Sequence, residues 1–235
     1  MKTRFDERTA YKLSEQPVPN CFIKLDDHFD YRLGVIQSSH PHPSVIIAES
    51  ICARMADVEM YAFLIEDARK RHGLEQGNDV KAAILTRSFF VGYLGAARAL
   101  LESAAVGLAI LYELPIQPNE RSFGHGTFWH QLVIVAPNVH RRYHAMRLIF
   151  NEVLRWCNEI PYRVPPLYVS HEQFGPYSSR EMHLRMLDEA NVDLTRIPAE
   201  PLRSNWVDPL HLHDRWKTTF LNLCEKLCQD LEQKT

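Results

Sequence analysis

The sequence predicts an all-α fold, a bundle of about four long helices with Pro-rich connecting loops. Three observations lead there. Apolar residues recur three, four or seven apart through four separate stretches, which is the period of a buried helix face. The 14 prolines fall mostly between those stretches or at their first turns, where a missing N–H and a fixed φ are tolerated. The chain has only 9 glycines in 235 residues, few for a fold rich in tight turns or phosphate-cradling loops. A chain of this size buries roughly 70% of its unfolded surface, enough for one self-sufficient core.

Residues 1–43 read as an N-terminal arm. Positions 1–20 are polar and end in the Pro-rich QPVPN, which predicts an extended or poorly ordered segment. Residues 21–36, CFIKLDDHFDYRLGVI, mix aromatic and β-branched residues with charges and allow one short hairpin or an irregular packed arm. The HPHP run at 40–43 then opposes helix, because each residue before Pro is pushed out of the α region.

Residues 44–235 read as a single helical-bundle domain. Ser44 is the predicted N-cap of the first helix, with Ile47, Ile51, Met55, Val58 and Ile65 on its apolar side. Lys70, Arg71 and His72 suit its C-terminus, and Gly73 stops it. The second helix starts at Asn78 or Asp79 and runs to about Leu114, where Pro115 and Pro118 end it. A stripe of small residues on it (Gly92, Ala96, Ala99, Ser103, Gly107) predicts close approach of another helix. Residues 119–136 read as a loop with aromatic anchors Phe123, Phe128 and Trp129. Pro137 and Asn138 open a third helix to about Ile160, whose apolar series Val139, Tyr143, Met146, Phe150, Val153, Cys157 and Ile160 steps by four and three. Residues 161–208 are Pro-punctuated, with one short helix predicted around 179–190. The last helix begins at Asp208–Pro209 and carries Leu212, Trp216, Phe220, Leu223 and Leu227.

Lys and Arg total 27 against 29 Asp and Glu, a net charge of −2. A global basic field is therefore excluded, and any polyanion site has to be a local patch. The five cysteines are irregularly spaced with no CxxC. Cys224 and Cys228 read as packing thiols, which suits a reducing compartment. The N-terminus lacks an apolar signal core. The uncharged runs within 88–112 are ten residues long, short for a bilayer span. A cytoplasmic protein without membrane attachment is the expectation.

Walker-type, dinucleotide-binding, serine-hydrolase and HExxH patterns are absent from the sequence, and no cofactor or metal site is expected. His140 and His144 stand four apart, a spacing two metal ligands can share, but Arg147 and Arg155 follow on the same face and oppose a cation. A His-rich metal-dependent hydrolase is thus the weakest reading. His211 and His213 fall two apart in the first turn of the last helix, which predicts capping or surface roles, and His40 and His42 read as loop residues. The line His140, His144, Arg147, Asn151 and Arg155, with Arg141 and Arg142 at its start, is the strongest local positive region. It is either a solvated or dimer-contact face or a surface for phosphates, to which Arg offers forked donors.

Three segments carry a family resemblance: TRSFFVGYLGAARALLESAAVGLAILYELPI at 86–116, RWCNEIPYRVPPLYVSH at 155–171 and NWVDPLHLHDRWKTTFLNLCEKLCQDL at 205–231. Together they resemble proteins of the HEPN-like superfamily, loosely across residues 80–233. The resemblance implies a helical protein that binds RNA or a protein partner as a homodimer. For active members it implies metal-independent RNA cleavage by an Arg and a His, in toxin–antitoxin or anti-phage settings. Arg163 and His171 fall where that catalytic pair belongs. Seven residues separate them, Pro165 and Pro166 interrupt the helix that would present them, and Val164 replaces the polar residue after the Arg. The expectation is therefore a HEPN-like binding protein, through His140, Arg141, His144, Arg147 and Arg155. The alternative is an endoribonuclease using Arg163 and His171.

Overall fold

The computed structural model describes residues 11, 17–21, 23–24, 43–72, 79–159, 167–169, 183–185 and 206–234. They form an all-α fold. Helix α1 is Pro43–His72 and α2 is Asp79–Leu111. A 3-10 turn at Pro118–Glu120 precedes α3, Gly126–Val135, α4, Pro137–His144, and α5, Arg147–Glu159. Three short antiparallel strands, β1 (Leu167–Val169), β2 (His183–Arg185) and β3 (Trp206–Val207), pair in that order. Helix α6, Pro209–Lys234, closes the chain.

Helix α2 is the centre of the bundle. Its 33 residues span about 50 Å, and α1 lies along it while α5 and α6 pack on other sides. Phe90, Tyr93, Leu94, Ala97, Leu100, Leu101, Ala104, Ala105 and Leu108 are all buried. The segment Ile84–Leu111 has the length and composition of a membrane span, and 56% of its apolar window is buried inside the protein.

The small-residue stripe has a specific use. A Cβ on Gly92 would stand 2.3 Å from the Tyr61 ring of α1, and one on Gly107 would stand 2.9 Å from Ile47. Both glycines let α1 approach, so that face of α2 is taken up within the chain. Gly95 is different: nothing lies within 4 Å of its Cβ position.

Helix α2 stops three residues before the predicted end. Glu113 adopts φ 50°, its N–H bonds to Ile110 O at 3.2 Å, and Leu114 N–H bonds to Ala109 O at 2.9 Å. This is the Schellman pattern of a helix C-terminus, with Glu where Gly would be unstrained and Leu114 buried after it.

Three further expectations need correction. The 119–136 segment is not all loop, since α3 forms within it and buries Phe128, Trp129 and Leu132. The single helix expected over 137–160 is two: Met146 N–H bonds to Tyr143 O at 3.0 Å, one residue short of the α-helical step, and α5 starts afresh. A stripe stepping by four and three has a period of 3.5, which drifts off one face of a straight helix. A turn wound at three residues corrects the drift, and Val139, Tyr143, Met146, Phe150, Val153 and Cys157 all stay buried. Within 179–190, the described residues His183–Arg185 are a strand, paired on both edges. Those partners outweigh a weak local helical preference.

Asp208 anchors the start of α6. Its carboxylate accepts the Leu210 N–H at 2.8 Å and both terminal nitrogens of Arg69 on α1, at 2.8 and 3.1 Å. The residue at which the sequence starts the last helix is thus also the tie between the end of α1 and the start of α6. Cys224 and Cys228 are buried free thiols, as expected of packing residues.

Candidate polyanion-binding face

The basic line is assembled around Trp129. Phe123 stacks on Phe150 (centroids 4.5 Å apart) and on Trp129 (5.4 Å), and the Trp129 indole N–H donates to Phe123 O at 2.7 Å. The indole is thereby fixed and buried between α3 and the α4–α5 break. His140 and His144, one turn apart on α4, set their rings edge-on to it at 5.9 and 5.7 Å, and the two imidazoles lie 4.9 Å from each other. From the first residue of α5, the Arg147 guanidinium covers the indole at 5.5 Å, and its Nη1 lies 3.4 Å from His144 Nε2.

Three of the five residues expected to bind RNA (His140, His144 and Arg147) therefore form one cluster. Arg141 is exposed on α4 beside it, and Arg155 is exposed two turns further along α5. Glu152 is the acidic residue that the sequence sets against this line. The structure turns it to Arg215 of α6, at 2.9 Å. Among the described residues no carboxylate pairs with Arg147 or Arg141. Partial burial lowers the pKa of His140, and the nearby His144 and Arg147 lower it further. Among the described residues the cluster has no anion of its own.

Sequence reasoning placed Trp129 as a loop anchor and missed it as the platform of the cluster. The signal was present in FWH at 128–130, eleven residues ahead of His140, but only the turn after α3 brings the two together. Arg142 was counted with the basic line and leaves it. Its guanidinium binds Asp230 of α6, which also accepts the hydroxyls of Tyr112 (2.8 Å) and Tyr143 (2.6 Å).

A second polar group lies deep between α1, α2 and α6. Lys217 Nζ lies 3.2 Å from Glu59 Oε2, His213 Nε2 lies 3.8 Å from the same oxygen, and Tyr93 Oη lies 3.3 Å from His213 Nδ1. His213, expected at a cap or on the surface, is instead buried. Its position on α6 puts it one residue after Leu212 and three before Trp216, on the side facing Tyr93. Burial pushes its pKa down to about 4, with Lys217 adding to the effect. Burial raises the Glu59 carboxyl, against the pull of Lys217. Glu59 and His213 are buried, Lys217 reaches them from a partly exposed position, and the group ties three helices together.

Arg163 and His171, the candidate catalytic pair, lie outside the described residues, as do His40 and His42. Among the described residues no group of three or more His, Cys, Asp or Glu side chains is placed to hold a metal ion. Comparison with protein-family models, curated proteins and solved structures finds no match for the chain.

Proposed function

We propose that this chain is a HEPN-like helical protein that binds RNA, with the outer face of α4 and α5 meeting the phosphates. One observation carries the reading: Arg147, His140 and His144 are gathered on Trp129 with no carboxylate among them, while Glu152, the acid nearest in sequence, is held by Arg215. Holding a guanidinium beside two imidazoles without an internal counter-ion opposes folding. The arrangement suits a surface that takes its anion from outside. Exposed Arg141 and Arg155 extend it along the two helices.

The homodimer belongs to the same proposal, through a surface other than the small-residue face of α2 or the apolar series at 139–160. The small-residue face of α2 is covered by α1, and the apolar series of α4 and α5 faces the chain's own core. Val133, Ile134 and Val135 at the end of α3, and Leu148 on α5, are large apolar residues left exposed and favour self-association there.

The test is fluorescence anisotropy with a labelled single-stranded RNA at low salt and in chelator. Binding that weakens in Arg141→Ala and Arg147→Ala, with thermal melts unchanged for Arg141→Ala, supports the reading. An equal affinity in wild type and both variants sinks it.

A further inference from the structure

The three clustered donors differ from a phosphate-tracking groove in their spacing. A groove that follows a nucleic-acid backbone spreads its cations at the distance between successive phosphates. Here two imidazoles 4.9 Å apart and a guanidinium whose Nη1 is 3.4 Å from one of them meet on a single indole. That is the footprint of one phosphate. An internal phosphodiester offers one charge and two non-bridging oxygens. A phosphate monoester offers three acceptor oxygens and a charge of about −1.5 to −2 at pH 7, which matches three donors.

We infer that His140, His144 and Arg147 form a receptor for a terminal phosphate monoester, the phosphorylated end of an RNA strand, and that seating it protonates the imidazoles. This rests on the RNA-binding reading and narrows it to strand ends. The rigid indole of Trp129 under all three donors fixes their spacing, so little ordering is left to accompany binding.

The proton coupling follows from what faces the pair. Within α4 the neighbour of His140 is His144, with Arg141 exposed beside it. From α5 comes Arg147, and from α3 the uncharged Trp129, with His130 exposed one residue on. Glu152 is held away by Arg215. Among the described residues no carboxylate pairs with the cluster, so none of them favours imidazolium. A dianion in contact favours the charged form of both rings, so protons are taken up as it binds. Affinity then rises as pH falls, by up to about tenfold per pH unit for each proton taken up. The rise ends near pH 6, where the monoester itself begins to protonate.

The experiment compares one single-stranded RNA carrying a 5′-phosphate, a 3′-phosphate or only hydroxyl ends. Affinities are measured between pH 6 and 8 in chelator, for the full chain and for His144→Gln and Arg147→Met. Imidazole NMR titration with a nucleoside monophosphate runs alongside. The expected result is at least about tenfold tighter binding of a phosphorylated end near pH 6.5, narrowing by pH 8, lost in both variants, with the His140 and His144 pKa values raised by the monophosphate. His144 is exposed, so its variant tests the site without threatening the core. Equal affinity for all three RNAs overturns the end-receptor inference and leaves RNA binding standing. Monophosphate shifting the imidazoles while no RNA binds supports the receptor and overturns the RNA reading. Neither RNA nor monophosphate binding overturns both.

Discussion

Asp230 shows what a single residue can hold in this bundle. It is fully buried and accepts from Tyr112 on the turn after α2 and from Arg142 and Tyr143 on α4. Three elements meet on one carboxylate. Removing one partner of a buried charged pair strands the other, so Asp230→Ala should cost about 3 kcal/mol, and Tyr143→Phe only about 1 kcal/mol for one hydrogen bond. Urea midpoints of the two variants check the ratio, and equal losses would contradict it. His213 makes a pH prediction. Its folded pKa, about 4, lies below the ordinary histidine value of 6.5. The unfolded chain therefore binds the extra proton between those values, and stability falls as pH drops from about 6.5 toward 4, at up to about 1.4 kcal/mol per pH unit. Glu59, whose carboxyl is raised, acts with the opposite sign. Its contribution is lost as pH rises above its ordinary range, so it blunts the lower part of the same window. His213→Gln should flatten the stability profile between pH 7 and 5.5; an unchanged slope would assign the dependence elsewhere.

At the scale of elements, the glycines of α2 separate two roles that look alike in sequence. Gly95→Ala meets open space and should stabilise by about 1 kcal/mol through helix propensity alone. Gly92→Ala drives a methyl into the Tyr61 ring and should destabilise by about 1–3 kcal/mol. Glu113→Gly should gain about 0.5–1 kcal/mol by relieving the left-handed backbone at the end of α2. Thermal denaturation of the three variants tests all of these. The elements were legible where a local signal decides them. The apolar period gave α1, α2 and α6, and Asp208–Pro209 gave the start of α6, because caps and stripes are written in neighbouring residues. The α4–α5 break was not legible, since no Pro or Gly marks it and it serves the register of Met146 and Phe150 against the core. The strand at His183–Arg185 was hidden for the same reason: its partners lie at Leu167–Val169 and Trp206–Val207. Of the candidate site, the polar line itself was visible as a spacing of three and four. The Trp129 platform depends on the turn between α3 and α4, and the diversion of Glu152 and Arg142 to α6 depends on contacts 60 to 90 residues away.

For the molecule as a whole, charge decides how RNA binding must behave. The chain carries a net −2, so its overall field repels a polyanion weakly and only the local patch attracts one. Affinity should therefore depend on few contacts and respond to salt accordingly. If Arg141, Arg147 and Arg155 each meet one phosphate of a single strand, three counter-ions' worth of contact gives a slope of log K against log salt near −2, at about −0.7 per phosphate. Arg141→Ala should flatten that slope by about 0.7 and weaken all RNA sequences alike, because a phosphate contact positions the strand without reading bases. Arg147→Ala should do the same and also free the Trp129 face, so its loss should be the larger of the two. A slope steeper than about −4 would mean a second basic surface outside this face. A slope near zero would mean that phosphates do not carry the interaction at all. Anisotropy titrations of wild type and the two variants from 50 to 300 mM salt separate these outcomes. They also report on assembly, since a dimer presenting two such faces to one strand doubles the wild-type slope at protein concentrations above its dissociation constant.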